Sequence, residues 1–69
     1  MPDSAPAPRR LVVLGPDAGA VARAVRELRQ SGARVAGFVG QDDDEEVARE
    51  MATEMLGGLD EVVRVPSRR

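Results

Sequence analysis

The sequence contains no cysteine and no histidine, which excludes disulfides, zinc sites of the Cys/His kind and catalysis by thiol or imidazole. Lysine, tyrosine, tryptophan and asparagine are also missing, and all 10 basic residues are arginine. Without lysine there is no Schiff base and no Walker-type phosphate lysine. Arginine in place of lysine, beside abundant Ala, Val and Gly, reads as coding composition. Phe38 is the single aromatic residue, so no platform exists for stacking bases. The formal net charge is −2, and no chain-wide attraction to nucleic acid or anionic lipid follows from it. Apolar runs such as Leu11–Leu14 fall far short of the about 20 residues of a membrane span. Met1–Arg10 mixes prolines with an acid and has no apolar h-region, unlike a signal peptide. The expectation is a cytoplasmic protein without nucleic-acid or membrane partners.

What remains is 69 residues, one domain at most. A chain of this size buries only about 60% of the surface that its unfolded form exposes. With no disulfide to help, further stability has to come from packing or association.

Residues 1–9 open with MPDSAPAP, whose prolines remove backbone donors and favour extended, solvated chain; a disordered tail is expected there. Residues 67–69 read as a basic C-terminal tail, and residues 10–66 as the folded domain. Leu11–Leu14 is continuously apolar, which suits a strand covered on both faces of a parallel sheet. Gly15 ends it, Pro16 sets φ for a turn, and Asp17 caps a helix over Ala18–Gln30. In that helix Val21, Ala24, Val25 and Leu28 share one face, while Arg23, Arg26, Glu27, Arg29 and Gln30 take the rest. Ser31 and Gly32 stop it. Ala33–Val39 forms a second strand, in which Ala36 and Gly37 allow close approach of a helix.

Gln41–Glu46 reads QDDDEE. Five acids in a row could offer hard oxygens to a divalent cation, but acids also gather at helix starts, where they accept orphan N–H bonds and favour the positive dipole end. Asp42 to Glu45 and Asp43 to Glu46 have capping-box spacing, and capping is the preferred reading. A second helix is expected over Asp44–Leu56, burying Val47, Ala48, Met51, Ala52 and Met55. Gly57 and Gly58 end it, and Leu59–Val65 supplies a third strand. Asp60 and Glu61 stand at the strand's start, away from the C-terminal edge where parallel sheets bind ligands.

The fold class is therefore α/β, a minimal three-stranded parallel βαβαβ, Rossmann-like or flavodoxin-like. Two strand orders are open. Order 3-2-1 puts both helices on one face and leaves the other bare until a second chain covers it; order 2-1-3 puts one helix on each face.

The stretch from Arg9 to Asp43, RRLVVLGPDAGAVARAVRELRQSGARVAGFVGQDD, resembles the opening of Rossmann-type domains. It is similar in particular to the N-terminal nucleotide-sugar-binding domain of bacterial sugar O-acyltransferases. Laid against a GxGxxG turn, the three glycine positions fall at Gly15, Asp17 and Ala20, so the first glycine alone is kept. The resemblance implies that a nucleotide or phosphate would contact Gly15, Pro16, Asp17, Ala18, Gly19 and Ala20. A ribose would meet Gly40 or Asp42 at the end of the second strand. A weaker resemblance, in Leu14-Gly15-x-Asp17, VARAVREL and the DEEV helix start, is to the cobalamin-binding domain of methylmalonyl-CoA-mutase-type enzymes. That family's cobalt-ligating histidine has no counterpart here.

Three functions stay open. The chain is a non-catalytic half-domain that self-associates, most simply as a homodimer, and serves as an accessory or interaction protein. Alternatively it is a module that holds a nucleotide or phosphate at Gly15–Ala20, or a subunit of an enzyme active only with another chain.

Overall fold

Four consecutive aliphatic residues in a strand send two large side chains to each face of a sheet, and both faces must then be covered. The computed structural model, which describes residues 8–66, meets this demand by placing Leu11–Leu14 in the central strand. The tails expected at either end lie outside the described residues, apart from Pro8 and Arg9. Strand β1 (Arg10–Gly15) is flanked by β2 (Arg34–Val39) on one side and β3 (Glu61–Arg64) on the other, all parallel. The order is β2-β1-β3. Helix α1 (Ala18–Gln30) joins β1 to β2, and α2 (Glu45–Leu56), preceded by a 3-10 turn at Asp42–Asp44, joins β2 to β3.

The two faces of β1 belong to different helices. Leu11 and Val13, with Val35, pack under Val21 of α1 and its half-buried neighbours Ala24, Val25 and Leu28. Val12 and Leu14, with Ala36, pack under Ala48 and Ala52 of α2. The four side chains of β1 are no more than 4% exposed. Of the two orders open to the chain, 2-1-3 is thus the one adopted, and neither face of the sheet is left bare. The choice follows from composition: β1 is apolar on both faces, while β2 (RVAGFV) and β3 (EVVR) carry charge or lack bulk and tolerate an edge.

Small residues set the helix-to-sheet distance. A Cβ at Gly37 would lie 3.0 Å from Val21 and 3.1 Å from Val25, so α1 rides directly on that backbone. Ala36 does the same for α2 on the opposite face. Asp17 caps α1 by accepting from the Gly19 N–H at 2.9 Å. Past the helix ends, Gly32 (φ +98°) and Gly57 (φ +77°) take the left-handed conformation that closes a C-terminus.

Helix α2 departs from the expected pattern in two ways. It starts at Glu45 instead of Asp44. Its buried stripe is narrow: Ala48 and Ala52 are fully buried, but Val47, Met51 and Met55, expected in the core, are 50%, 44% and 64% exposed. The apolar positions span too wide an arc for one contact, and the small alanines let the helix sit closest to the sheet along their line. The third strand is also shorter than expected, with Leu59 and Val65 half-buried outside it.

One polar clamp closes the base of the sheet. Asp60 accepts from the Arg10 backbone N–H at 2.8 Å and from its guanidinium at 3.4 Å. Arg10 also donates to the Gly57 carbonyl at 3.1 Å, and Asp60 returns its own N–H to the Arg10 carbonyl at 2.8 Å. The Arg10 backbone and side-chain donors hold the Asp60 carboxyl below its ordinary value of 3.8. A carboxyl lowered in the folded state adds stability that is present above its unfolded value and is lost as pH falls through the folded one. Urea midpoints should therefore fall as pH drops below 3.8, and Asp60→Asn should flatten that part of the acid limb. A wild-type acid limb unchanged by Asp60→Asn would show that the clamp contributes nothing.

Candidate functional site

Ligands of open parallel sheets bind beyond the strand C-termini, where connections leave in opposite directions. In a 2-1-3 sheet this point lies between β1 and β3, and an open cleft of about 660 Å³ occurs there. Leu14, Gly15 and Pro16 line one wall, and Arg64, Val65 and Pro66 the other. Gly40, Gln41, Asp42 and Asp43 complete it from the loop before α2.

The sequence-derived residues divide at this point. Gly15, Pro16, Gly40 and Asp42 meet in the cleft, and the Gly40 N–H donates to the Gly15 carbonyl at 2.8 Å. Asp17, Gly19 and Ala20 instead line a groove along α1 with Arg23, Glu27 and Val65. Ala18 lines a third groove on the β2 side of the same helix. The turn is therefore not one concave cradle.

Local chemistry explains each position. A Cβ at Gly15 would overlap the Val65 side chain and lie 2.7 Å from the Val65 carbonyl. This glycine makes room for the chain leaving β3, whose Val65 N–H donates to Leu14 at 2.9 Å. In the first turn of α1, Asp17 engages two donors: its carboxylate takes the Gly19 N–H and its carbonyl takes the Val21 N–H at 3.0 Å. An anion at this helix end would meet that carboxylate first.

One member of the acidic block, Asp44, acts on the backbone, paired with Gln41 one step earlier than the spacing suggested. The Asp44 carboxylate accepts from the Gln41 N–H at 2.8 Å, and the Asp44 N–H donates to the Gln41 carbonyl at 2.9 Å. Glu45 instead forms ion pairs with Arg49, at 3.1 Å, and with Arg64. Asp42 and Asp43 are exposed at the cleft. Among the described residues, no group of three acidic side chains is arranged to hold a metal. No helix among them is long and apolar enough to cross a membrane. Sequence reading missed Arg64, Val65 and Pro66 as cleft residues. Their place at and just past the end of the third strand is the available signal, since the C-terminal end of every parallel strand faces the ligand edge.

A second surface lies along β2. In a parallel pair, alternate residues turn their backbone groups toward the neighbour. Arg34 and Gly40 donate to Arg9 and Gly15, so the intervening Val35, Gly37 and Val39 direct their N–H and C=O groups outward. Arg29 donates to the Val35 carbonyl at 3.1 Å. A groove of about 670 Å³ runs between α1 and this edge, floored by Val21, Val25, Gly37 and Val39. On the opposite face the exposed stripe Val47, Met51, Met55 flanks α2. Around α2, Glu45 and Leu56 lie on one side of the Ala48–Ala52 line and the stripe on the other. Glu45 reaches Arg64 of β3, so the stripe lies on the side of α2 toward β2.

No protein-family model, curated protein or solved structure matches the chain.

Gly15→Ala should cost about 1–3 kcal/mol through the Val65 overlap, read as a lower urea midpoint. Asp44→Ala should cost about 1 kcal/mol and Asp43→Ala a few tenths at most. Equal losses from the two aspartate changes would show that Asp44 has no special capping role.

Proposed function

We propose that this chain is a small non-catalytic half-domain that works by self-association, as an accessory or interaction protein. The observation that carries the reading is the exposure of four large apolar side chains, Val39 at 53%, Val47 at 50%, Met51 at 44% and Met55 at 64%, all toward one side of so small a domain. Together they expose roughly 400 Å² of apolar surface, the scale at which patches are often functional. Covering it on both chains contributes about 20 kcal/mol at about 25 cal/mol per Å², against an association cost of about 4–15 kcal/mol together with the ordering of the interface side chains. The balance favours a dimer that dissociates on dilution. The bare sheet face that order 3-2-1 would have offered plays no part in this reading; a helix flank and a strand edge take its place.

The melting temperature should rise with protein concentration, and the sedimentation mass should approach twice 7.4 kDa. A cooperatively folded single chain whose melting temperature is independent of concentration would refute self-association.

A second reading, a module for a nucleotide or phosphate, is favoured by the cleft at the strand ends. Its obstacle is negative charge: Asp42 and Asp43 stand at the cleft, and the Asp17 carboxylate occupies the helix end next to it. Asp17→Gly removes one charge and releases the Gly19 N–H, at a cost to the helix of only a few tenths of a kcal/mol. Binding of inorganic phosphate or a nucleoside diphosphate should then strengthen, with amide shifts at residues 15–20. Unmoved amides in both proteins would dispose of this reading.

A further inference from the structure

We infer that the self-association proposed above, on which this step rests, occurs through the β2 edge about a two-fold axis, with Gly37 opposite Gly37 and Met51 opposite Met51 of a second copy. The two edges of the sheet are not equivalent. Strand β3 has four residues, and its outward positions are Val62 and Arg64, the latter ion-paired with Glu45. Short length and charge are the usual protection of an edge. Strand β2 has six residues, and its outward backbone groups belong to Val35, Gly37 and Val39, without a charged side chain among them. Among the described residues, Arg29 covers the Val35 carbonyl and nothing bonds the other outward groups.

These outward groups are self-complementary. In an antiparallel pair centred on Gly37, each Gly37 exchanges two hydrogen bonds with its mate, and Val35 faces Val39 across the axis. The Val39 N–H of the second copy then takes the place of the Arg29 guanidinium on the Val35 carbonyl.

The stripe on α2 is centred at the same height. Glu45 is tied to Arg64, which is level with Leu14 and hence with Phe38; at the other end the Gly57 carbonyl is tied to Arg10, level with Arg34. Met51 lies midway between these anchors, level with Ala36 and one residue from Gly37. A two-fold axis normal to the sheet through Gly37 therefore runs close to Met51. It sets Met51 against Met51 and Val47 against Met55, at spacings of four residues on either side. On the α1 face the exposed Ala18 and Ala22 leave room for the second copy's helix. The side so covered is about 20 Å long and three layers of about 10 Å thick. That is roughly 600 Å², close to the about 800 Å² per partner of a stable interface. A point-symmetric pairing also closes on itself, so the joined sheet of six strands ends in two protected β3 edges.

The test is sedimentation equilibrium on the full chain and on Val39→Lys, Met51→Lys and Met51→Glu, with circular dichroism to confirm folding. Both positions are changed where the side chain is already exposed. Each variant alone should weaken the dimer by about tenfold or more. Mixing Met51→Lys with Met51→Glu should restore a heterodimer, because opposite charges then meet on the axis. A wild-type dimer that survives all three changes overturns the β2 assignment and leaves self-association standing. A dimer weakened by Met51→Lys but not restored in the mixture overturns the two-fold pairing at Met51. A wild-type chain that is single at every concentration overturns both.

Discussion

Everything in this fold depends on covering Leu11, Val12, Val13 and Leu14. Their side chains point alternately to opposite faces, so no single helix can shield them, and the two helices of the described residues take one side each. Strand order, the course of the crossovers and the position of both edges follow from that requirement. Parallel strands buried on both faces are ordinary in large α/β domains, where several helices share the task. Here each helix covers β1 and part of β2, and cover is thin elsewhere.

Thin cover has a chemical counterpart in the use of small residues. Gly37 and Ala36 lie back to back in β2, one under each helix, and Ala48 and Ala52 bring α2 down to meet the second of them. Close approach gives good packing per atom but buries few large side chains. The single aromatic, Phe38, is accordingly only half-buried against the core, and Leu14, Val12 and Val13 are the largest fully buried side chains among the described residues. The apolar bulk of α2, in Val47, Met51 and Met55, is displaced to the flank by the same geometry.

Local signals made most of this legible. The bounds of α1, its Asp17 cap, the glycine stops and the three strands are set by neighbours in sequence, and their reading needed no tertiary information. The strand order was not so determined, because both orders satisfy the same periodicities; the preference for a strand apolar on both faces to lie centrally decides it. The α2 stripe was misread for a related reason. Periodicity marks an apolar arc but not which part of the arc touches the sheet, and alanine wins when the distance is short. At the candidate site the glycine pattern was visible, but the function of Gly15 was not. Its neighbour Val65 is distant in sequence, and a tight packing contact leaves the same residue preference as a phosphate turn. Among the acids before α2, Asp44 bonds the backbone, at Gln41, while the expected capping-box pairs Asp42–Glu45 and Asp43–Glu46 do not form and Glu45 turns to arginines instead.

The pairing of β1 with β3 joins Leu11 to Glu61, the first strand to the last, and this sets an order in time. A β1–α1–β2 unit closes a short loop, whereas β3 must return across the whole chain, and entropy of closure grows with that separation. β3 should therefore join late and leave early. Its strand pairing is with β1 alone, and its side chains Val62 and Val63 are only half-buried. Amide exchange along the chain would then be graded, fastest in β3 and slowest in β1. Each departure of β3 briefly turns the most apolar strand of the molecule into an open edge. The Arg10–Asp60 clamp, placed where β3 begins, acts as the latch that keeps those openings rare.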